Sequence, residues 1–433
     1  MMASSGGPIL VQKFGGTSLS DSARLSNCAD RVAQAVGAGN RVIVVVSAMG
    51  RTTDQLVELA HSLGSDPDPR ALDLLLATGE LASTAMMTIA LEKRGVQAVP
   101  LGGREAGIRT DQTHGRARIL AIESTRLHDL MSSGVVPVVA GFQGVSPLGE
   151  VTTIGRGGSD TTAVALAAAV GAGESGGGCE IHTDVDGIHT ADPRVIPKAR
   201  RLSEIGSDEM LELAAVGAGV LQERAVVFAR RFDVPLRVLH SQKPGPGTLV
   251  LRETSSMERN SVIGCALRRE LGRVGISGLD MAIGGQAAIF MALADAGVMV
   301  DDIVQTDGDD GISLAFTVEH GELAEARDVV RSAIERLSPG DDSVGVDVEI
   351  GLAKISAVGS GMRSAIGVAG RMFEALSKAG IPILNITTSE IRISCLVPQD
   401  RGEEALEVVH DAFGLDRDPQ DGPFLGLTDH DEA

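Results

Sequence analysis

The sequence predicts an α/β protein in two parts: a mostly parallel sheet with helices on both faces, an αβα sandwich over residues 8–250, followed by two small βαββαβ units. Three observations carry that expectation. Almost wholly apolar strand-like runs alternate with amphipathic stretches, glycine-rich turns end those runs, and the C-terminal part repeats itself with a period of 83 residues.

Ile9, Leu10 and Val11 open a strand that runs into Lys13-Phe14-Gly15-Gly16-Thr17, and the stretch Ser20 to Gly37 has helical periodicity. Residues 41–46 and 135–140 are nearly all apolar, as strands covered on both faces must be. They end in Ser47-Ala48-Met49-Gly50 and Gly141-Phe142-Gln143-Gly144. Helices are predicted over 54–63, 70–94, 116–133 and 160–170. In such a fold ligands bind beyond the carboxyl ends of the strands, where these glycine turns should gather. Lys243-Pro244-Gly245-Pro246-Gly247 closes this part, and residues 251–270 read as a linker.

In the repeat, Gly278, Gly284, Phe290, Leu293, Gly297 and Ile303 recur as Gly361, Gly367, Phe373, Leu376, Gly380 and Ile386. Each copy reads strand, glycine turn, helix, strand, strand, which is ferredoxin-like. The first copy is expected over 271–340 and the second over 350–415. Residues 416–433 are acidic and contain proline without periodicity, and are expected to be a disordered tail.

Composition excludes several classes. Thirty-eight Lys+Arg against 58 Asp+Glu give a formal charge of −20, and no basic stripe with interleaved aromatics exists, so neither nucleic acid nor an anionic membrane is an expected partner. The same field repels nucleotides, so local cations must reverse it at any ATP site. Nine Phe and no Tyr or Trp leave the cores to aliphatic residues. Cys28, Cys179, Cys265 and Cys395 are scattered without metal-like spacing, fitting a reducing cytoplasm. No signal peptide and no apolar run of membrane-spanning length are expected.

Three motifs carry chemistry. In the first, adjacent Gly15 and Gly16 let consecutive N–H groups converge on phosphate oxygens, a helix start adds partial positive charge, and Lys13 adds a full one. The GxxxxGK[ST] spacing of a Walker loop is absent. In the second, Gly155-Arg156-Gly157-Gly158-Ser159-Asp160-Thr161-Thr162, Ser159 and Asp160 fall at a helix start and Arg156 suits a bidentate carboxylate. The third is Thr183-Asp184-Val185-Asp186-Gly187-Ile188-His189-Thr190-Ala191-Asp192-Pro193-Arg194. Its aspartates miss the EF-hand spacing, and it reads as a strand-end loop shaping a pocket around base and ribose. Glu80, in Leu76-Ala77-Thr78-Gly79-Glu80, reads as a carboxylate at a helix start, and Ser47 ends the second long strand.

The string Lys-Phe-Gly-Gly-Thr-Ser-Leu at 13–19 resembles the opening signature of the aspartokinases, in the amino-acid kinase superfamily. The other motifs follow in that family's order over roughly residues 9–415, and the repeats resemble paired ACT domains, which sense amino acids. The resemblance implies an ATP-dependent enzyme that phosphorylates the side-chain carboxylate of L-aspartate to 4-phospho-L-aspartate, opening the lysine, threonine and methionine route. It implies that Lys13, Phe14, Gly15 and Gly16 face the phosphates. Thr183, Asp184, His189, Asp192, Pro193 and Arg194 would line the nucleotide pocket. Ser47, Glu80, Arg156, Gly157, Gly158 and Ser159 would hold aspartate, with Glu80 on its ammonium and Arg156 on its α-carboxylate. Asp160 would orient Lys13, and Mg²⁺ would come with ATP rather than sit in a site made by protein alone.

No general base is needed, because an aspartate β-carboxylate is already ionised at neutral pH. Lys13→Ala is therefore expected to remove turnover with little loss of folding. The resemblance also implies a homo-oligomer through the ACT units and a lysine or threonine effector near Gly284, Gln305, Gly367 and Asn385.

The pattern breaks in places. His182 and His189 stand where the family carries tyrosines, and Gly219 stands in place of a phosphate-reaching lysine. Met281-Ala282-Ile283-Gly284 and Ser364-Ala365-Ile366-Gly367 replace the usual effector turns, so altered feedback is expected. A kinase of another acidic amino acid and a catalytically weak regulatory subunit remain as alternatives.

Overall fold

The computed structural model describes residues 6–217, 219–252, 261–279, 284–308, 311–337, 344–363 and 365–417. The tail from 418 onward, and Met281, Ala282, Ile283 and Ser364 of the two turns, lie outside the described residues. Two compact units emerge: residues 1–189, 201–215 and 219–257 form one, and 190–200, 216–218 and 258–433 the other.

In chain order the first unit contains β1 (Ile9–Phe14), α1 (Ser22–Gly37), β2 (Arg41–Val46), α2 (Thr52–Leu63), α3 (Pro69–Glu92), β3 (Ala98–Leu101), β4 (Ile108–Thr110), β5 (Ile119–Ile122) and α4 (Thr125–Ser132). It continues with β6 (Val136–Ala140), β7 (Gln143–Val145), β8 (Val151–Thr153), α5 (Gly158–Ala169), β9 (Gly178–Thr183), β10 (Glu204–Gly206), α6 (Ser207–Ala215), α7 (Glu223–Arg231), β11 (Leu236–His240) and β12 (Thr248–Leu251). The main sheet runs β10-β12-β11-β9-β1-β2-β6-β3, and among the described pairings only β11 with β12 is antiparallel. Its central strands are covered on both sides, which explains their unbroken apolar runs. Val42, Val44 and Val46 pack with α1 and α3, while the alternate residues Ile43 and Val45 are equally buried.

The helix expected over 116–133 is only half helix. Ile119–Ile122 pairs antiparallel with β4 in a small side sheet, β5-β4-β7-β8, and helix begins at Thr125. Two β-branched residues flanking Leu120 and Ala121 fit a strand once a partner edge is present, which local periodicity alone does not reveal.

Among the described residues, α3 has the length and apolarity of a membrane-crossing helix, with half of its apolar window buried. It nevertheless carries Asp73 and Glu80 inside the fold, both with polar partners. These mark it as a core helix.

The second unit contains β13 (Gly264–Leu279), α8 (Gly285–Asp295), β14 (Asp301–Gly308), β15 (Gly311–Glu319), α9 (Leu323–Leu337), β16 (Gly345–Val358), α10 (Val368–Lys378), β17 (Asn385–Thr388), β18 (Arg392–Pro398) and α11 (Gly402–Ala412). They form one six-stranded sheet, β14-β15-β13-β16-β18-β17. Residues 264–270, read as linker from the sequence, are strand. The two long strands are shared. The C-terminal part of β13 and the start of β16 build the first repeat's core around Val274, Ile276, Phe316 and Val330. The start of β13 joins the rest of β16 and β18 in the second core around Cys265, Ile355, Met372 and Leu406. The second repeat thus takes its fourth strand from ahead of the first.

Where the repeats meet, Lys354 is buried with its Nζ 2.5 Å from Asp301 Oδ2 and 2.8 Å from Asp302 Oδ2, while Arg268 also reaches Asp301. A buried charge so compensated fixes register more than it adds stability.

Candidate active site

Parallel register brings the strand ends level. Phe14 pairs with Val46 on one side and His182 on the other, Val46 pairs with Ala140, and Thr183 pairs with His240. The glycine turns therefore share one edge of the sheet, as the sequence led us to expect.

Lys13 is the penultimate residue of β1. Its Nζ lies 2.5 Å from Asp160 Oδ1, in the first turn of α5, and both side chains are about nine-tenths buried. The loop carrying Arg156 feeds directly into that turn. Gly157 has φ +70° there, and a Cβ on it would lie 1.9 Å from Gln222 Cγ, so only glycine fits. Arg224 braces the same loop, its guanidinium donating to Ile154 O at 2.7 Å and Ala117 O at 3.3 Å. Arg156 itself is exposed and forms no ion pair among the described residues. Ser159 packs against Gly141 at the end of β6, so this loop also abuts the neighbouring strand end.

At the end of β2, Ser47 N donates to Phe14 O at 3.1 Å, and Ala48 N donates to Glu80 Oε1 at 3.0 Å. Glu80 is 3% exposed, and its other oxygen, Oε2, has no partner among the described residues. Burial pushes this carboxyl up to about 7, and the Ala48 N–H offsets only part of that. Glu80 lies mid-way along α3 and not at a helix start, because the apolar periodicity continues through it. Gly79 lets the loop after β2 come this near, since a Cβ there would sit 2.9 Å from Ala48 Cβ.

Several expectations need correcting. The Gly15 N–H does not point into a phosphate nest; it donates to His182 O at 3.2 Å, extending the β1–β9 ladder. Gly16 begins a 3-10 turn, Gly16–Leu19, and a Cβ on it would lie 2.7 Å from Ala48 O. The Phe14 side chain is wholly buried and stacks on His182 with centroids 4.7 Å apart, so it offers a nucleotide nothing but backbone. His182 is likewise a core residue, with Nε2 3.1 Å from Glu180 Oε2, which also accepts from Gln12. Burial holds its imidazole below the ordinary value.

Thr183 and Asp184 follow at the end of β9, with Thr183 Oγ1 donating to Asp184 Oδ1 at 3.0 Å, and His189 Nε2 lies 3.3 Å from Asp186. Asp192, Pro193 and Arg194 belong to the second unit. There Asp192 accepts from the Arg194 guanidinium, which holds its carboxyl below the usual range, and Ala191 and Ile196 join the second repeat's core. Gly219 has φ +61°, a conformation that suits glycine better than a residue with a long side chain.

Around the expected effector turns, Gly284 (φ +108°) and Gly367 (φ +87°) precede α8 and α10 in matching left-handed geometry. Gln305 Oε1 accepts from Gln286, and Asn385 Oδ1 accepts from Ile386 N.

Arg224 and Gln222, which brace the Arg156 loop, were not assigned roles from the sequence.

The mostly parallel sheet brings a lysine–aspartate pair, an arginine without an ion pair among the described residues and a buried carboxylate to one edge of an amino acid kinase fold. The description "Amino acid kinase family" matches residues 8–240, and "ACT domain" matches 355–413. Aspartokinase of Geobacillus stearothermophilus is 45% identical over 94% of this chain and 97% of its own length. Aspartokinase 2 of Bacillus subtilis is 44% identical over 95% and 99%. Among solved structures, E. coli aspartokinase III in complex with aspartate and ADP superposes with TM-score 0.79 at 30% identity, covering 94% of this chain and all of that one. The chain belongs to the aspartokinase family.

Proposed function

We propose that this protein transfers the γ-phosphate of ATP to the β-carboxylate of L-aspartate, giving 4-phospho-L-aspartate for the lysine, threonine and methionine route. One observation carries the reading: the buried Lys13–Asp160 pair stands at the same sheet edge as the Arg156 loop and the half-satisfied Glu80. The relative bound to aspartate and ADP supports it.

Catalysis here is positioning and charge stabilisation, because two anions must be brought in line. Lys13, oriented by Asp160, neutralises charge on the transferring phosphoryl. Arg156, on a loop braced by Arg224, takes the α-carboxylate in a bidentate pair. Glu80 takes the ammonium through its free oxygen, with Ser47 beside it and Ser159, Gly157 and Gly158 shaping the opposite wall. Thr183, Asp184 and His189 border the nucleotide. Among the described residues no cluster of three or more acidic, histidine or cysteine groups is arranged to hold a metal. Mg²⁺ carried in on the phosphates would shield their charge. Measuring ADP release with aspartate, glutamate and N-acetylglutamate tests the reading; turnover is expected with aspartate alone, and a preference for another acceptor, or none, rejects it.

Glu80 gives this site a pH signature. An ammonium beside a carboxyl whose value stands near 7 favours its charged form, so protonation and aspartate compete. The KM for aspartate is expected to rise as pH falls from about 8 to about 6, and Glu80→Gln to flatten that rise while weakening binding throughout. In the unliganded protein the effect on stability runs the other way. The folded state binds this proton more tightly than the unfolded one, so stability is full below about 4.5 and declines as pH rises toward about 7. A pH-independent KM for aspartate contradicts the role given to Glu80.

The ACT units would join chains into a cytoplasmic homo-oligomer and bind an amino-acid effector near Gly284, Gln305, Gly367 and Asn385. With the usual turns replaced, inhibition by lysine plus threonine is expected to be weak, and full inhibition in a steady-state assay rejects that expectation.

A further inference from the structure

The sheet brings one more polar side chain to the edge where Thr183 and Asp184 lie. His240 ends β11 in register with Thr183 of β9, and Ile181 of β9 is in register with Lys13 of β1. Partners across a ladder, and residues two apart along a strand, share a face. His240 and Thr183 therefore stand on the face that carries Lys13. The Cα of His240 lies about 12 Å from that of Lys13, two strand spacings across and two residues nearer the carboxyl edge. With the terminal phosphate at Lys13, the sugar of an extended nucleoside triphosphate falls there.

The ring is held ready as a donor. Gln242 N and Lys243 N donate to its Nδ1 at 2.9 Å and 3.3 Å, so the ring proton sits on Nε2. His240 is half-buried, yet its Nε2 has no partner among the described residues. The turn that pins the ring is itself bolted down. Arg31 Nε donates to Ser241 O at 2.7 Å, and Asn27 Nδ2 donates to Gln242 Oε1 at 2.9 Å. Burial, with Lys243 beside it, holds the imidazole below its ordinary value. Asp186 and Asp184 pull the other way, which places both within electrostatic reach of the ring. Asp184 uses Oδ1 to accept from Thr183 Oγ1, and its Oδ2 has no partner among the described residues.

We propose that His240 is a further nucleotide-binding residue, its Nε2–H donating to a ribose hydroxyl of ATP that in turn donates to Asp184. The inference rests on the nucleotide placement proposed above. Chemistry selects the hydroxyl. An imidazole N–H only donates and a carboxylate only accepts, so the group between them must do both. Ring nitrogens of the base that accept from His240 would gain nothing from Asp184, and a phosphate would be repelled by it.

Titration calorimetry on the full-length protein with ATP, 2′-deoxy-ATP and 3′-deoxy-ATP tests this. The parent is expected to bind one deoxynucleotide more weakly than ATP. His240→Asn keeps an acceptor where Nδ1 stands, and so keeps the turn, but loses the donor. It should weaken ATP about five-fold, leave the deoxynucleotide that lacks the contacted hydroxyl unchanged, and hold the melting temperature and the KM for aspartate. His240→Gln puts an amide donor where Nε2 stands and should retain most of the parent's discrimination. Equal weakening of all three nucleotides, unchanged ATP affinity in His240→Asn, or a parent that does not discriminate overturns the proposal. ADP release with aspartate is measured alongside. A parent that binds ATP without turnover refutes the proposed reaction while the nucleotide comparison still decides the role of His240, and a parent that binds no ATP refutes both.

Discussion

Replacing Lys13 by alanine is expected to lower kcat by roughly three orders of magnitude, the scale of removing a preorganised charge from a phosphoryl-transfer site. The loss should fall on kcat more than on either KM, because the ammonium interacts most strongly with charge that develops in the transition state. Stability should fall too, contrary to the expectation drawn from sequence alone. The partner Asp160 is about nine-tenths buried, and an uncompensated buried carboxylate costs about 3–5 kcal/mol. The two effects separate in a cycle: Lys13→Met combined with Asp160→Asn should recover much of the melting temperature and none of the turnover. Near-normal kcat in Lys13→Ala would falsify the assignment of the site.

Arg156 offers the opposite profile. Its side chain is exposed and unpaired, so Arg156→Ala should leave thermal stability within about 0.5 kcal/mol of the parent. Losing a bidentate charge-assisted pair with aspartate is worth about 1.5–3 kcal/mol, or roughly a 10- to 150-fold rise in the KM for aspartate. The KM for ATP should stay put. Arg156→Lys restores charge without the planar fork and should recover only part of the affinity. Arg224→Ala would mimic the defect in milder form, because it loosens the loop without touching substrate. If the KM for ATP moves instead, Arg156 faces the phosphates and the acceptor site lies elsewhere.

Much of the first unit was readable from local pattern. Strands buried on both faces must be apolar throughout, so 41–46 and 136–140 announce themselves, and the parallel sheet then puts the glycine turns at one edge. The segment 119–122 was misread because a strand of four residues becomes one only when β4 lies beside it. The phosphate nest was misread for a similar reason. Two glycines permit converging amides, but β9 claims the first of them. His182 shows the same limit: an imidazole beside a binding loop looks functional until its burial under Phe14 is known.

Sequence by itself determined which chemical groups exist and where backbone freedom is needed. Lys13, Arg156, Asp160 and the glycines around them fix the chemistry, because their residue types follow from charge and from steric limits that act within a few residues. Tertiary structure decided what each group faces. It gave Asp160 to Lys13, left half of Glu80 unsatisfied in a dry interior, and threaded the second repeat with a strand from before the first. Burial and pairing are sums over residues far apart in the chain, and solvent exclusion, which sets the strength of every charge in this site, is a property of the packed molecule.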